Sequence, residues 1–158
     1  MKLDFEYGQG TMAANLPDNT DVFIPGVTVP DPAFIPDDQL VEVTRKSILN
    51  PIGMDPISKL AQKGSKVTIV FPDRVKGGEQ ATAHRKVSIS IILEELYKVG
   101  VEKKDIMLIC SNGLHRKNTK EEIFNILGPD IFHEFWYSHQ IINHDSEDYE
   151  RSEERRVG

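Results

Sequence analysis

The sequence predicts an α/β fold with a Rossmann-like, doubly wound, mainly parallel sheet, and three observations carry that prediction. Residues 66–71 (KVTIVF) and 106–110 (IMLIC) are short apolar runs rich in β-branched side chains, the signature of buried strands. Each run is followed by a charged, glycine-containing loop and then by a helical pattern. Between them, residues 87–99 repeat apolar side chains at helical spacing. A connection of that length is too long for a hairpin, so the two strands are expected to lie adjacent and parallel with the helix as their crossover.

Taken in order, residues 2–7 alternate Leu3, Phe5 and Tyr7 with Lys2, Asp4 and Glu6, a half-buried strand pattern. Gly8 and Gly10 mark a turn; they lack the third glycine and the following helix of a dinucleotide fingerprint. Residues 21–25 (DVFIP) read as a second short strand. Pro25, Pro30, Pro32 and Pro36 then forbid a helix or a central strand. Asp37 is placed to cap a helix that runs to about Asn50. Asp55-Pro56 opens a shorter one with Ile57, Leu60 and Ala61 turned inward.

Further along, Asn118 or Thr119 followed by Glu121 and Glu122 has the form of a capping box, opening a helix that Gly128-Pro129 closes. Residues 131–137 form a short aromatic-rich helix, on which His133 packs or meets solvent rather than binding a ligand. Residues 140–143 give a third strand.

A chain of 158 residues with 39% hydrophobic and 28% charged residues fits one globular domain with its own core. The net charge of −6 and pI near 5.4 leave no basic surplus to neutralise phosphates, which argues against a nucleic-acid partner. No apolar run approaches the roughly 20 residues that cross a bilayer. The start MKLDFEYGQG has no apolar core of signal-peptide length, and the single Cys110 excludes an intrachain disulfide. A cytoplasmic protein without a membrane partner is the expectation.

Chemistry is expected where the two central strands end. Ser111, Asn112 and Gly113 break the second strand, so His115 and Arg116 fall between a strand end and a helix start. Ligands bind at such places in open α/β sheets because unpaired N–H groups converge there. The loop after the first strand supplies Asp73, Arg74 and Lys76, and the next helix begins with His84, Arg85 and Lys86. Loops 73–78 and 111–117 are expected to line one concave site that gathers cations, with Lys117 among them, and suits an anionic small molecule. Single loop charges are usually solvated; the doubled pattern is what argues for a site. His84, His115 and His144 lack the tight spacing of zinc motifs, so no metal ligand is assigned.

Over about residues 1–149 the chain resembles the amino-terminal domain of the nickel-pincer lactate racemase family. The matching motifs are YGQG at the start, NPIG before the second helix, the Asp73-Arg74 loop after KVTIVF, GLHR before a Thr-Lys-Glu-Glu helix start, and INHDSED near the end. Their order and spacing carry the resemblance, not any one of them.

The resemblance implies a 2-hydroxy acid racemase or epimerase, an isomerase. In that family a nickel-bound pyridinium nucleotide takes a hydride from the substrate α-carbon while a histidine removes the hydroxyl proton. His115 in GLHR matches one of the two family acid/base histidines, a role suited to an imidazole near neutral pH. Asp73, Arg74, Lys76 and Arg116 are the implied substrate-side residues, with His84 and Arg85 as secondary candidates. The family commonly reads Asp-x-Thr-Arg where this chain reads Asp73-Arg74-Val75-Lys76. A lysine in the arginine's place exchanges a bidentate fork for a point charge, which argues for a 2-hydroxy acid other than lactate.

The family's second acid/base histidine, its cofactor lysine and its nickel-binding histidine lie downstream of the matched region. The expectation is therefore a truncated substrate-side domain, residues 1–150, inactive without its C-terminal domain. Residues 151–158 (RSEERRVG) read as the translation of AGA TCG GAA GAG CGT CGT GTA GGG, a sequencing adapter, and are expected to be an artefact tail. The alternative is a free-standing small anion-binding α/β module without catalysis.

Overall fold

The computed structural model describes residues 1–24, 26–28, 30, 33–77, 83–145, 147 and 148. The chain divides into two compact units, Met1–Phe34 and Ile35–Gly158. The tail 151–158, and Gly78 at the end of the first expected site loop, lie outside the described residues.

The first unit is built on a hairpin. Strand β1 (Lys2–Tyr7) pairs antiparallel with β2 (Gly10–Asn15), from Lys2 opposite Asn15 to Tyr7 opposite Gly10. Gly8, with φ +59°, supplies the positive dihedral that a two-residue hairpin turn requires at its first central position. The second strand is therefore residues 10–15, not the expected residues 21–25. Residues 21–24 form no strand, and Pro25 lies outside the described residues. Alternation in β1 is real, but only Leu3 is half-buried, because a two-stranded sheet has no second layer within its unit to cover the apolar face.

The second unit carries the predicted sheet. Strands β3 (Val67–Pro72), β4 (Ile106–Ser111) and β5 (Ile141–Asn143) run in the order β3-β4-β5, with both pairings parallel. Val67 lies opposite Ile106 and Phe71 opposite Cys110, so the two expected strands end level with each other. Helix α3 (Arg85–Lys98) is their crossover. Ile69, Phe71, Ile106, Leu108 and Cys110 share one sheet face and join Ile89, Leu93 and Leu96 of α3 in the core. Ile123, Ile126 and Leu127 of α4 (Lys120–Leu127) and Ile131, Phe132 and Phe135 of α5 (Pro129–Trp136) complete it. The opposite sheet face is far less covered: Met107 and Ile109 are half-buried, and Val70 is 61% exposed.

Local chemistry sets the helix ends. Thr119 caps α4 by accepting from the Glu122 N–H, and the Glu122 carboxylate accepts from the Thr119 N–H, the reciprocal box the sequence predicts. Asp37 does not cap its helix. It begins a 3₁₀ turn, Asp37–Gln39, and α1 (Leu40–Leu49) follows without a side-chain cap. In α2 (Ile57–Leu60), Ile57 and Ala61 pack on the core as expected, whereas Leu60 points outward at 57% exposure. The helix ends at Leu60 and Ala61 is already extended, with φ −127° and ψ 152°, so the helical stripe through the three side chains does not form.

Candidate active site

The level ends of β3 and β4 place two loops side by side. Asp73 follows β3 directly, and a 3₁₀ turn, Arg74–Lys76, comes after it. Beyond β4, Gly113 takes φ +59° and the His115 N–H donates to the Asn112 carbonyl at 3.0 Å, turning the chain back towards the first loop. His115 Nδ1 thereby lies 2.6 Å from Asp73 Oδ2. The Asp73 side chain is 3% exposed and the His115 side chain 44% exposed, so a buried carboxylate holds a solvent-accessible ring.

This geometry fixes the imidazole's chemistry. A carboxylate only accepts, so in this contact Nδ1 carries the proton and donates it, which leaves the Nε2 lone pair unprotonated. A cavity of about 490 Å³ adjoins the pair, lined by Val70, Pro72, Asp73, Lys76, Ser111, Asn112, Gly113, Leu114 and His115. A cavity of about 570 Å³ lies along β5, lined by residues including Met107, Trp136, Tyr137 and Ile142, but its lining holds no carboxylate to pair with His139. Of these two cavities, the smaller is the one lined by a histidine–carboxylate pair.

Several expected site residues serve the frame rather than the cavity. Arg85, buried at the start of α3, donates from Nη1 to the Asp73 carbonyl at 3.1 Å and from Nη2 to the Lys76 carbonyl at 2.5 Å, fastening the first loop from beneath. Arg74 Nε lies 3.0 Å from Glu122, and Arg116 grips the same carboxylate with both terminal nitrogens at 3.0 and 2.7 Å. Lys117 pairs with Asp145 at 2.6 Å. His84 is exposed at the start of α3 and does not line the cavity, and Lys86 lines a separate groove between α1 and α3. Arg74, Arg116 and Lys117 are thus taken up by carboxylates and Arg85 by backbone carbonyls, and among the predicted cations Lys76 and His115 line the cavity.

Sequence reasoning missed the polar network that ties the strand ends together. Asn118 Nδ2 donates to Asn112 Oδ1 and to Cys110 Sγ, and Asn118 Oδ1 accepts from the Arg74 N–H. Asn112 Nδ2 donates to Asn143 Oδ1 and to the His144 carbonyl, and Asn143 Nδ2 returns a bond to the Asn118 carbonyl. The available signal was an asparagine after β4, another before α4 and a third ending β5. Burial, with Asp73 nearby, pushes the Cys110 thiol up to about 12, so it is a neutral core group and no nucleophile. Among the described residues no group of three His, Cys, Asp or Glu side chains is placed to hold a metal ion. None of their helices is long and apolar enough to cross a membrane.

Fold and site together define a Rossmann-like α/β domain with a histidine–carboxylate pair in its strand-end cleft. The chain belongs to the lactate racemase N-terminal domain family, whose sequence profile matches residues 7–155. It is 30% identical to the lactate racemase of Lactiplantibacillus plantarum over 107 residues, 68% of this chain and 23% of that protein. The lactate racemase apoprotein of Thermoanaerobacterium thermosaccharolyticum superposes with a TM-score of 0.57 at 20% identity, over 95% of this chain and 31% of the other. That structural likeness is one of fold. The chain spans less than a third of the length of these relatives.

Proposed function

We propose that this chain is the substrate-side part of a 2-hydroxy acid racemase or epimerase, in which His115 exchanges the substrate's hydroxyl proton. The observation that carries the reading is the contact between His115 Nδ1 and buried Asp73, in a cavity that also holds Lys76. Nε2 takes the hydroxyl proton as the α-carbon is oxidised to the 2-keto level and returns it when the carbon is reduced again. Asp73 holds the ring in the required tautomer and stabilises the imidazolium that forms. Lys76 receives the substrate carboxylate as a point charge without a fork, which favours a 2-hydroxy acid other than lactate. Membership of the family supports the reaction class.

No described residue is assigned to the nickel-pincer nucleotide that the family implies, and among the described residues no three His, Cys, Asp or Glu side chains are placed to hold a metal ion. The chemistry proposed for this chain is proton exchange and carboxylate binding, and the hydride acceptor is proposed to lie in the part of the relatives' length that this chain does not span. The short span of the chain against its relatives supports that division. A domain with one acid/base group and no hydride acceptor is inactive alone, because the difficult step belongs to the cofactor.

The test is binding of small acids to the 158-residue chain, followed by NMR. A 2-hydroxy acid should perturb the resonances of Gly113, His115 and Lys76 saturably, and more tightly than the matched acid without the hydroxyl, for example lactate against propionate or malate against succinate. Equal affinity for both members of each pair would instead make the chain an anion-binding module. No saturable response from any 2-hydroxy acid would remove the site assignment.

A further inference from the structure

Glu122 lies outside the cavity lining, yet arginines from both of the loops that carry the pair converge on it. Its carboxylate accepts from Thr119 N–H at 2.7 Å, from both terminal nitrogens of Arg116, and lies 3.0 Å from Arg74 Nε. These partners come from three segments: the loop after β3, the loop after β4 and the N-cap of α4. Arg74 adjoins Asp73, and Arg116 adjoins His115. We propose that Glu122 is the positioning residue of the His115–Asp73 pair, a single carboxylate that clamps the two loops in the register at which Nδ1 meets Oδ2.

The two halves of the pair are anchored unequally. Asp73 is buried, its carbonyl is held by Arg85, and the next N–H is held by Asn118. His115 sits on an exposed turn between Gly113 and Lys117, fixed by its own N–H to Asn112 and, one residue on, by the Arg116 fork. A bidentate arginine–carboxylate fork sets direction as well as distance. Without it the ring keeps a backbone turn but loses the contact that aims it, so the movable partner is the one Glu122 holds. The Arg116 hydrogen bonds hold the Glu122 carboxyl down to about 2, so the clamp is charged throughout the neutral range.

The inference rests on the reading of His115 as the site's base, but its test needs neither substrate nor turnover. The measurement is the tautomer of His115, read from imidazole ¹⁵N shifts of the 158-residue chain with the ring neutral. The wild-type ring should be the Nδ1–H form. Glu122→Gln, which preserves shape but removes the charge, and Arg74→Met/Arg116→Met, which removes both arms and leaves the capping box intact, should each make Nε2–H the major form, as in a free imidazole. Thr119→Ala, which weakens the helix cap but spares the arginine contacts, should leave Nδ1–H dominant. If Glu122→Gln fails to fold, judged by core methyl dispersion, the double arginine variant decides. Retention of the Nδ1–H form in folded clamp variants, or an equal loss in Thr119→Ala, would overturn the proposal and reduce Glu122 to a helix cap. A wild-type chain in the Nε2–H form would sink the base assignment itself, so the two failures are separable.

Discussion

His115 Nδ1 and Asp73 Oδ2 lie 2.6 Å apart although 42 residues separate them in sequence. The contact exists because parallel pairing in register ends β3 and β4 level, Pro72 opposite Ser111, so that the loops leaving both strands meet. The inner partner is buried and the outer one accessible, the arrangement a proton-exchanging ring requires: one nitrogen fixed, the other free to react.

Asp73→Asn tests the carboxylate's part. The amide keeps the shape but neither stabilises an imidazolium nor enforces one tautomer. In a racemase of the relatives' length that carries this domain, kcat should fall by roughly 10²- to 10⁴-fold, the scale of a misoriented acid/base, with KM little changed. Steady-state kinetics with a 2-hydroxy acid check this, and a kcat within twofold of wild type would contradict it.

The Glu122 clamp has a pH signature. Hydrogen bonds from Arg116 are the first cause of its lowered pKa, about 2 against an ordinary 4.5. A carboxyl depressed in the folded state stabilises it fully above its unfolded value and loses that contribution as pH falls through the folded one. The difference in thermal stability between wild type and Glu122→Gln should therefore be constant from pH 7 to about 5 and shrink between about 4.5 and 2. Melting curves across that range measure it; a difference already lost at pH 5 would show that the arginines do not hold the carboxylate.

Cys110 should behave as a core residue. Burial raises its thiol to about 12, so at pH 8 almost no thiolate is present and the sulfur is shielded. A thiol reagent should label the native chain only as fast as it unfolds, and the denatured chain at once. Rapid stoichiometric labelling with the fold intact would contradict the placement of Cys110 in the sheet.

Phe135, fully buried where α5 meets the core, anchors the layer behind β4 and β5. Phe135→Ala should cost about 3–5 kcal/mol in transfer and cavity terms, read from denaturant unfolding. A loss under about 1 kcal/mol would mean that α5 does not close this core.

Much of this architecture is legible in the sequence where local pattern and tertiary context agree. The apolar runs at β3 and β4 can be satisfied only by burial, and the Thr119–Glu122 box is written within four residues. Strand β2, GTMAAN, has little strand propensity of its own; pairing with β1 across the Gly8 turn imposes it. At the site, Asp73, Lys76 and His115 could be found because strand ends define where loops converge. Arg74, Arg85 and Arg116 could be placed near the site but not given partners. Whether an arginine faces a cavity or an internal carboxylate depends on contacts such as Arg74 N to Asn118, 44 residues apart, which no local spacing encodes.

His115 is proposed to supply the proton-exchanging nitrogen of a 2-hydroxy acid racemase. Racemisation by a protein of the relatives' length that carries this domain with His115→Ala, followed by polarimetry from a single enantiomer, tests it most directly. The account predicts kcat lower by roughly 10²-fold or more, with the fold and cofactor content unchanged. Unimpaired turnover in that variant would contradict it.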